Sequence, residues 1–115
     1  VLVLGRINGG KGEVLLEPLL DAIGGDIDLH LLGCGNAGQR FFGRSGVHIE
    51  LDYAREELPT LVERIDPDLA LLPVTVSETF SYTLSELRAL GVPVLATRVG
   101  ALAERISDGV DGHLV

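Results

Sequence analysis

Short apolar runs rich in Leu and Val recur along the chain, at Val1 to Leu4, Ile27 to Leu32, Val47 to Leu51, Leu69 to Pro73, Pro93 to Thr97 and His113 to Val115. Each reads as a strand. Between them, Glu13 to Ile23, Leu58 to Ile65, Thr83 to Leu90 and Ala101 to Ser107 carry apolar residues at helical spacing, with Leu61, Val62 and Ile65 as one such stripe. Gly91 and Gly109 stand where helix C-caps belong. Pro59 suits a first helical turn, and Glu56 and Glu57 before it favour the positive helix end. Pro18 removes a backbone donor inside the first helical pattern, which predicts a kink or a delayed start there.

Strand and helix alternating through connections of a few residues predict a parallel sheet of about six strands with helices on both faces. That is an α/β, Rossmann-like doubly wound domain, whose ligands sit outside the carboxyl ends of the strands. The 115 residues, 46% hydrophobic and 23% charged, suffice for one core and are too few for two, so 1–115 is expected to form a single domain. The chain begins at Val1 inside a strand-like run and stops at HLV, as a segment of a longer protein would.

Charge and cysteine usage narrow the chemistry. The net charge is -8 and the basic residues are scattered, so the electrostatic footprint of a nucleic-acid binder is missing. Cys34 stands alone, which precludes an intrachain disulfide or a cysteine zinc cluster and fits a reducing, cytoplasmic setting. No apolar run approaches the roughly 18 residues of a membrane span.

Two glycine-rich stretches follow strands. GRINGGKG, from Gly5 to Gly12, places Gly5, Gly10 and Lys11 as a P-loop would, but Gly12 stands where a hydroxyl should hold Mg²⁺. Arg6 and Lys11 nevertheless flank a turn between a strand and a helix, so both cations suit a diphosphate; the alternative is a pair of solvated loop charges. GCGNAG matches the dinucleotide fingerprint at Gly33, Gly35 and Gly38, with Glu50 or Asp52 as a ribose acid, yet QRFFGRSG is short for the crossover helix that should follow. The other reading is a glycine turn lining a cleft.

A third stretch, SETFSYTLSE, sets Glu78 and Glu86 eight apart across a strand-to-helix junction, with Ser81, Tyr82 and Thr83 offering N–H groups near the helix start. Glu86 also fits a capping box with Thr83, whereas Glu78, at the end of a buried strand, needs water or a partner such as a sugar hydroxyl.

Taken in order, G-R-x(4)-K-G after the first strand, E-x7-E after the fourth and GVPVLAT into the fifth resemble the C-terminal donor-binding domain of group 1, family 4 glycosyltransferases of the GT-B fold. The resemblance covers almost the whole chain and ends in ERISDGVDGHLV. It implies that Arg6 and Lys11, beside Gly5, bind and steady the diphosphate of a nucleotide-sugar as leaving group, and that Glu78 contacts the donor sugar. It further implies that Glu86 accepts from ribose hydroxyls, and that N–H groups around Phe80, Ser81, Tyr82 and Thr83 hold phosphate or sugar. Retaining transfer without a cofactor or obligatory metal follows from the same resemblance, as does an acceptor held mainly by an N-terminal domain outside this segment. The family commonly has glycine where Ser81 stands, and often Gly-Gly in place of Gly100-Ala101. A nucleotide-sugar epimerase of similar build and a non-catalytic nucleotide-binding module are the alternatives. His30, His48 and His113 read as structural.

Overall fold

All six apolar runs become strands of one parallel sheet in the computed structural model, which describes residues 1–7, 13–23, 26–75 and 80–115. The strands are β1 (Leu2–Leu4), β2 (Leu29–Leu32), β3 (Val47–Glu50), β4 (Ala70–Leu72), β5 (Val94–Ala96) and β6 (His113–Leu114), in spatial order β3-β2-β1-β4-β5-β6. Residues flanking these short strands still serve the ladder: the Leu69 carbonyl accepts from the Leu2 N–H and the Pro93 carbonyl from the Ala70 N–H, both at 2.8 Å.

Strand order dictates where the helices go. The chain winds outward from β1 to β3, then returns to the other side of β1 and winds the opposite way. Right-handed crossovers therefore leave helices on opposite faces, the doubly wound arrangement expected from the pattern. On one face Leu16 of α1 (Glu13–Ile23) packs with Val3, Leu29, Leu31 and Phe41. On the other, α2 (Leu58–Ile65), α3 (Tyr82–Ala89) and α4 (Gly100–Arg105) bury Leu58, Val62, Leu84, Leu87 and Leu102 against Leu2, Leu4, Leu72 and Val94. Alternate residues of β1 thus feed both cores, as the two-residue period of a strand requires.

Local chemistry explains the element ends. The helix α1 runs on through Pro18, because Leu16, Leu19 and Leu20 pack on the sheet around the missing donor. Pro59 sits in the first turn of α2, as the sequence predicts, and a 3₁₀ turn over Arg55–Glu57 precedes it. Between β2 and β3 the crossover is a six-residue 3₁₀ helix, Asn36–Phe41, anchored by the buried Phe41. Arg44 just beyond it bonds Glu17 at 2.9 Å and also Asp21, tying this short connection to α1.

Of the two predicted glycine caps, one forms. Gly91 has φ +72, and the Gly91 N–H reaches the Arg88 carbonyl while the Val92 N–H reaches that of Leu87, the two bonds of a Schellman motif. Gly109 is instead a turn residue with φ +79, beyond the end of α4. Ile106, only 4% exposed, draws the chain from the helix directly into extended backbone, and the turn after it is closed by the Asp111 carboxylate accepting from the Ser107 N–H at 2.7 Å.

His30 and His48 face each other across β2 and β3, with rings stacked at 4.5 Å and 17°, and His48 lies 3.5 Å from Asp28. Burial, and then the neighbouring His48, hold the His30 imidazole below its ordinary value of 6.5, with Asp28 opposing.

Two outcomes follow. A β-carbon at Gly91 meets no atom within 4 Å, so Gly91→Ala should cost only the left-handed backbone, about 1 kcal/mol by urea unfolding. An unchanged midpoint would remove the cap from the account. Because the unfolded chain protonates His30 first, stability should fall as pH drops below 6.5 towards the lower folded value, and the loss is complete beneath it. Urea midpoints at pH 7.5 and 5.5 should differ less in His30→Gln than in the parent; an equal difference would assign the slope to other groups.

Candidate functional site

The ends of β1, β2 and β3 and the start of α3 surround one cleft of about 760 Å³, lined by Gly5, Arg6, Gly33, Asp52, Tyr53, Arg55, Tyr82 and Glu86 among others. It opens at the carboxyl edge of the sheet, next to the place where the winding reverses between β1 and β4, where open α/β sheets bind ligands. A second cleft of about 430 Å³, under His30, His48, Leu61 and Arg64, lies along a sheet face beside α2 instead. Topology therefore favours the first.

Among the described residues, the glycine N–H groups of these two stretches are already spent. Gly5 N–H donates to Leu32, Gly33 N–H to Glu50 and Gly35 N–H to Leu51, at 2.8 to 2.9 Å, so the loops extend the parallel ladder past the strands. Gly38 N–H closes back on the Gly35 carbonyl at 3.0 Å. A dinucleotide fingerprint needs such groups aimed at a pyrophosphate and a full helix behind them. Here the groups are bonded and a 3₁₀ helix follows, so GCGNAG is the cleft-lining turn of the two readings.

Each of its glycines makes room for a side chain. A β-carbon at Gly33 would stand 2.4 Å from the Tyr53 ring, one at Gly35 3.3 Å from Nη1 of Arg6, and one at Gly38 2.1 Å from the buried Cys34 sulfur. Gly33 and Gly35 also hold φ near +74 and +73, a backbone that other residues adopt only with strain. Cleft shape thus depends on two absent side chains, because Tyr53 and Arg6 occupy the space.

The start of α3 corrects one expectation. Its N-cap is Ser81, whose Oγ accepts from the Leu84 N–H at 3.2 Å, so no capping box joins Thr83 and Glu86. Glu86 lies a turn further in and faces the cleft, its carboxylate without a hydrogen bond or ion pair to another described residue. Ser81 is 4% exposed with its hydroxyl spent on the cap, which gives a serine its own use where the family commonly has glycine. Thr83 approaches Gly5, its Oγ1 being 3.4 Å from where a β-carbon there would stand. Phe80 and Tyr82 are exposed and meet edge to face at 5.0 Å.

The structure therefore brings together Gly5, Arg6, Tyr82 and Glu86 around one cleft, with Ser81 and Thr83 reaching a small adjoining hollow between β1 and β4. Phe80 stands beside Tyr82 at its rim. Lys11 and Glu78, and with them Gly10 and Gly12, lie outside the described residues. Thr97, from the GVPVLAT stretch, donates its hydroxyl to the Val74 carbonyl at 2.5 Å and so secures the chain leaving β4.

Tyr53 and Arg55 escaped the sequence reading, although a position just past a strand's carboxyl end was signal enough to test. Burial, and then Glu86, push the Tyr53 phenol above its ordinary value of 10, so it remains a neutral donor at neutral pH. Asp52 turns its carboxylate back to the Tyr53 N–H at 3.0 Å.

Comparison with known proteins converges on one family. Residues 1–115 match the model described as glycosyl transferases group 1. Two proteins named D-inositol 3-phosphate glycosyltransferase are 31% identical, from Paenarthrobacter aurescens, and 32% identical, from Pseudarthrobacter chlorophenolicus, each over 98% of this chain. The chain spans about a third of the length of these curated relatives, 32% and 31% respectively. Among solved structures, Anabaena HepE in complex with UDP-glucose superposes with TM-score 0.76 at 23% identity, covering 99% of this chain and 34% of that one. The lipopolysaccharide outer core galactosyltransferase WaaB, apo form, gives 0.72 at 20% identity with the same coverage, 99% and 34%. Matched from end to end by the family model, the chain belongs to the group 1 glycosyl transferases.

Proposed function

We propose that this chain is the nucleotide-sugar donor-binding domain of a two-domain, cytoplasmic GT-B enzyme that transfers a glycosyl group with retention of configuration. The observation that carries the reading is the cleft at the sheet's carboxyl edge, where an exposed guanidinium, Arg6, and a carboxylate with no ion-pair partner among the described residues, Glu86, face one space of about 760 Å³. A diphosphate needs the first and a ribose diol suits the second.

In this reading Arg6 binds the diphosphate, and its fork of donors offsets the charge that grows on the leaving group as the glycosidic bond breaks. Lys11, by its place in the motif, assists it, and Glu78 contacts the donor sugar. Two N–H groups at the start of α3, those of Tyr82 and Thr83, add the positive helix end. Glu86 accepts from the ribose hydroxyls while Tyr53 and Tyr82 flank the nucleoside. With these cations stabilising the leaving group, no metal is obligatory, and the acceptor belongs to an N-terminal domain.

Kinetics on the full-length enzyme test the assignment. Arg6→Ala should lower kcat/KM for donor by roughly 100-fold or more, the scale of a lost transition-state donor. Glu86→Gln should weaken nucleoside diphosphate binding by about 10-fold or more, since a charge-assisted bond becomes a neutral one. Activity within twofold of the parent in both variants would sink the donor-site reading. Turnover should also persist in EDTA, and its abolition with recovery on added Mg²⁺ would refute the metal-free part alone.

A further inference from the structure

The guanidinium of Arg105, at the end of α4, is directed onto the first turn of α3. Its Nη1 donates to the Ser81 carbonyl at 2.6 Å and its Nη2 to the Ser85 hydroxyl at 2.8 Å, while its carbon stands 4.2 Å over the Phe80 ring. Ser81 is the N-cap residue, and among the described residues its carbonyl otherwise receives only long bonds, from the Ser85 N–H at 3.3 Å and the Ser85 hydroxyl at 3.5 Å. The charged donor is the firmest hold on that peptide. Arg105 is held in turn, because Arg88 donates to its carbonyl at 2.6 Å and to Asp111 at 3.0 Å.

We infer that Arg105 is a positioning residue for donor binding, acting through Phe80, Ser81 and Tyr82. The inference rests on the donor-site reading above. Three consecutive residues are set by one side chain: Phe80 by stacking, Ser81 by its carbonyl, and Tyr82 by its edge-to-face contact with Phe80 at 5.0 Å. Tyr82 lines the cleft, and the peptide orientation at Ser81 sets where the first helical N–H groups point. A planar fork suits this task; an ammonium at the same place reaches one acceptor and loses the stacking. Arg105 touches no reacting group in this account, so its removal changes how well the donor is held.

Full-length enzyme carrying Arg105→Ala, Arg105→Lys, Leu102→Val, Arg6→Ala or Glu86→Gln distinguishes positioning from mere stability. UDP, GDP and ADP serve as probes by calorimetry, with donor and acceptor KM measured alongside. Arg105→Ala should weaken binding of the preferred diphosphate and raise donor KM by about 10-fold, with acceptor KM unchanged. Arg105→Lys should recover only part. Leu102→Val, which loosens the same helix from its buried face, should lower the urea midpoint and leave donor affinity intact. Donor affinity within twofold of the parent in Arg105→Ala, or an equal loss in Leu102→Val, would overturn the inference. If Arg6→Ala and Glu86→Gln bind normally, or no diphosphate binds, the donor-site reading falls and this inference with it; if only the Arg105 variants bind normally, the inference alone falls.

Discussion

Pairing of β1 with β4 is the constraint on which the rest of the structure depends. β1 is central, and the ladder joining it to β4 is registered at Leu2 and Ala70, with the Leu2 N–H bonded to the Leu69 carbonyl. Because the chain reaches β4 only after winding out to β3, β1 and β4 lead to helices on opposite faces of the sheet, α1 and α3. Backbone that would otherwise close the carboxyl edge is drawn apart, and a crevice remains. Among the described residues, Arg6, Tyr82 and Glu86 come to that edge by this route, not by nearness in sequence.

Within the crevice the division of labour is between spent and unspent polar groups. Gly5, Gly33 and Gly35 consume their N–H groups in prolonging the ladder, and Ser81 consumes its hydroxyl in capping α3. What remains for a ligand is side-chain chemistry: the Arg6 guanidinium, the Glu86 carboxylate and the neutral Tyr53 phenol. A rigid frame presenting a few groups already in place is how a binding site limits the ordering cost of its ligand. Arg105 belongs to the frame, and its bonds to Ser81 and Ser85 join α4 to the helix whose start faces the cleft.

The glycines show why motif matching misleads when the backbone is unseen. Gly33, Gly35 and Gly38 satisfy a dinucleotide pattern by spacing, yet each is small because Tyr53, Arg6 or Cys34 fills the place of its side chain. Similarly, Thr83 and Glu86 have the spacing of a capping box, but the helix begins two residues earlier and Ser81 provides the cap. Spacing along a chain records what a segment is able to do locally; which option is taken depends on what packs against it.

By itself the sequence determined the six strands, the four helices, their alternation and hence the parallel doubly wound class. The reason is that hydrophobic period and length are local properties, and short crossovers admit one handedness. Family membership was legible too, since Arg6, Lys11, Glu78 and Glu86 recur in order along the chain. Only the tertiary structure decided that α4 ends at Arg105 and not at a Gly109 cap, because burial of Ile106 outweighs the local signal. It alone placed Tyr53 and Arg55 on the cleft and Arg105 on the first turn of α3, contacts that span from 20 to about 50 residues of chain. Such pairings are set by the order in which strands join the sheet, and no window of the sequence contains that order.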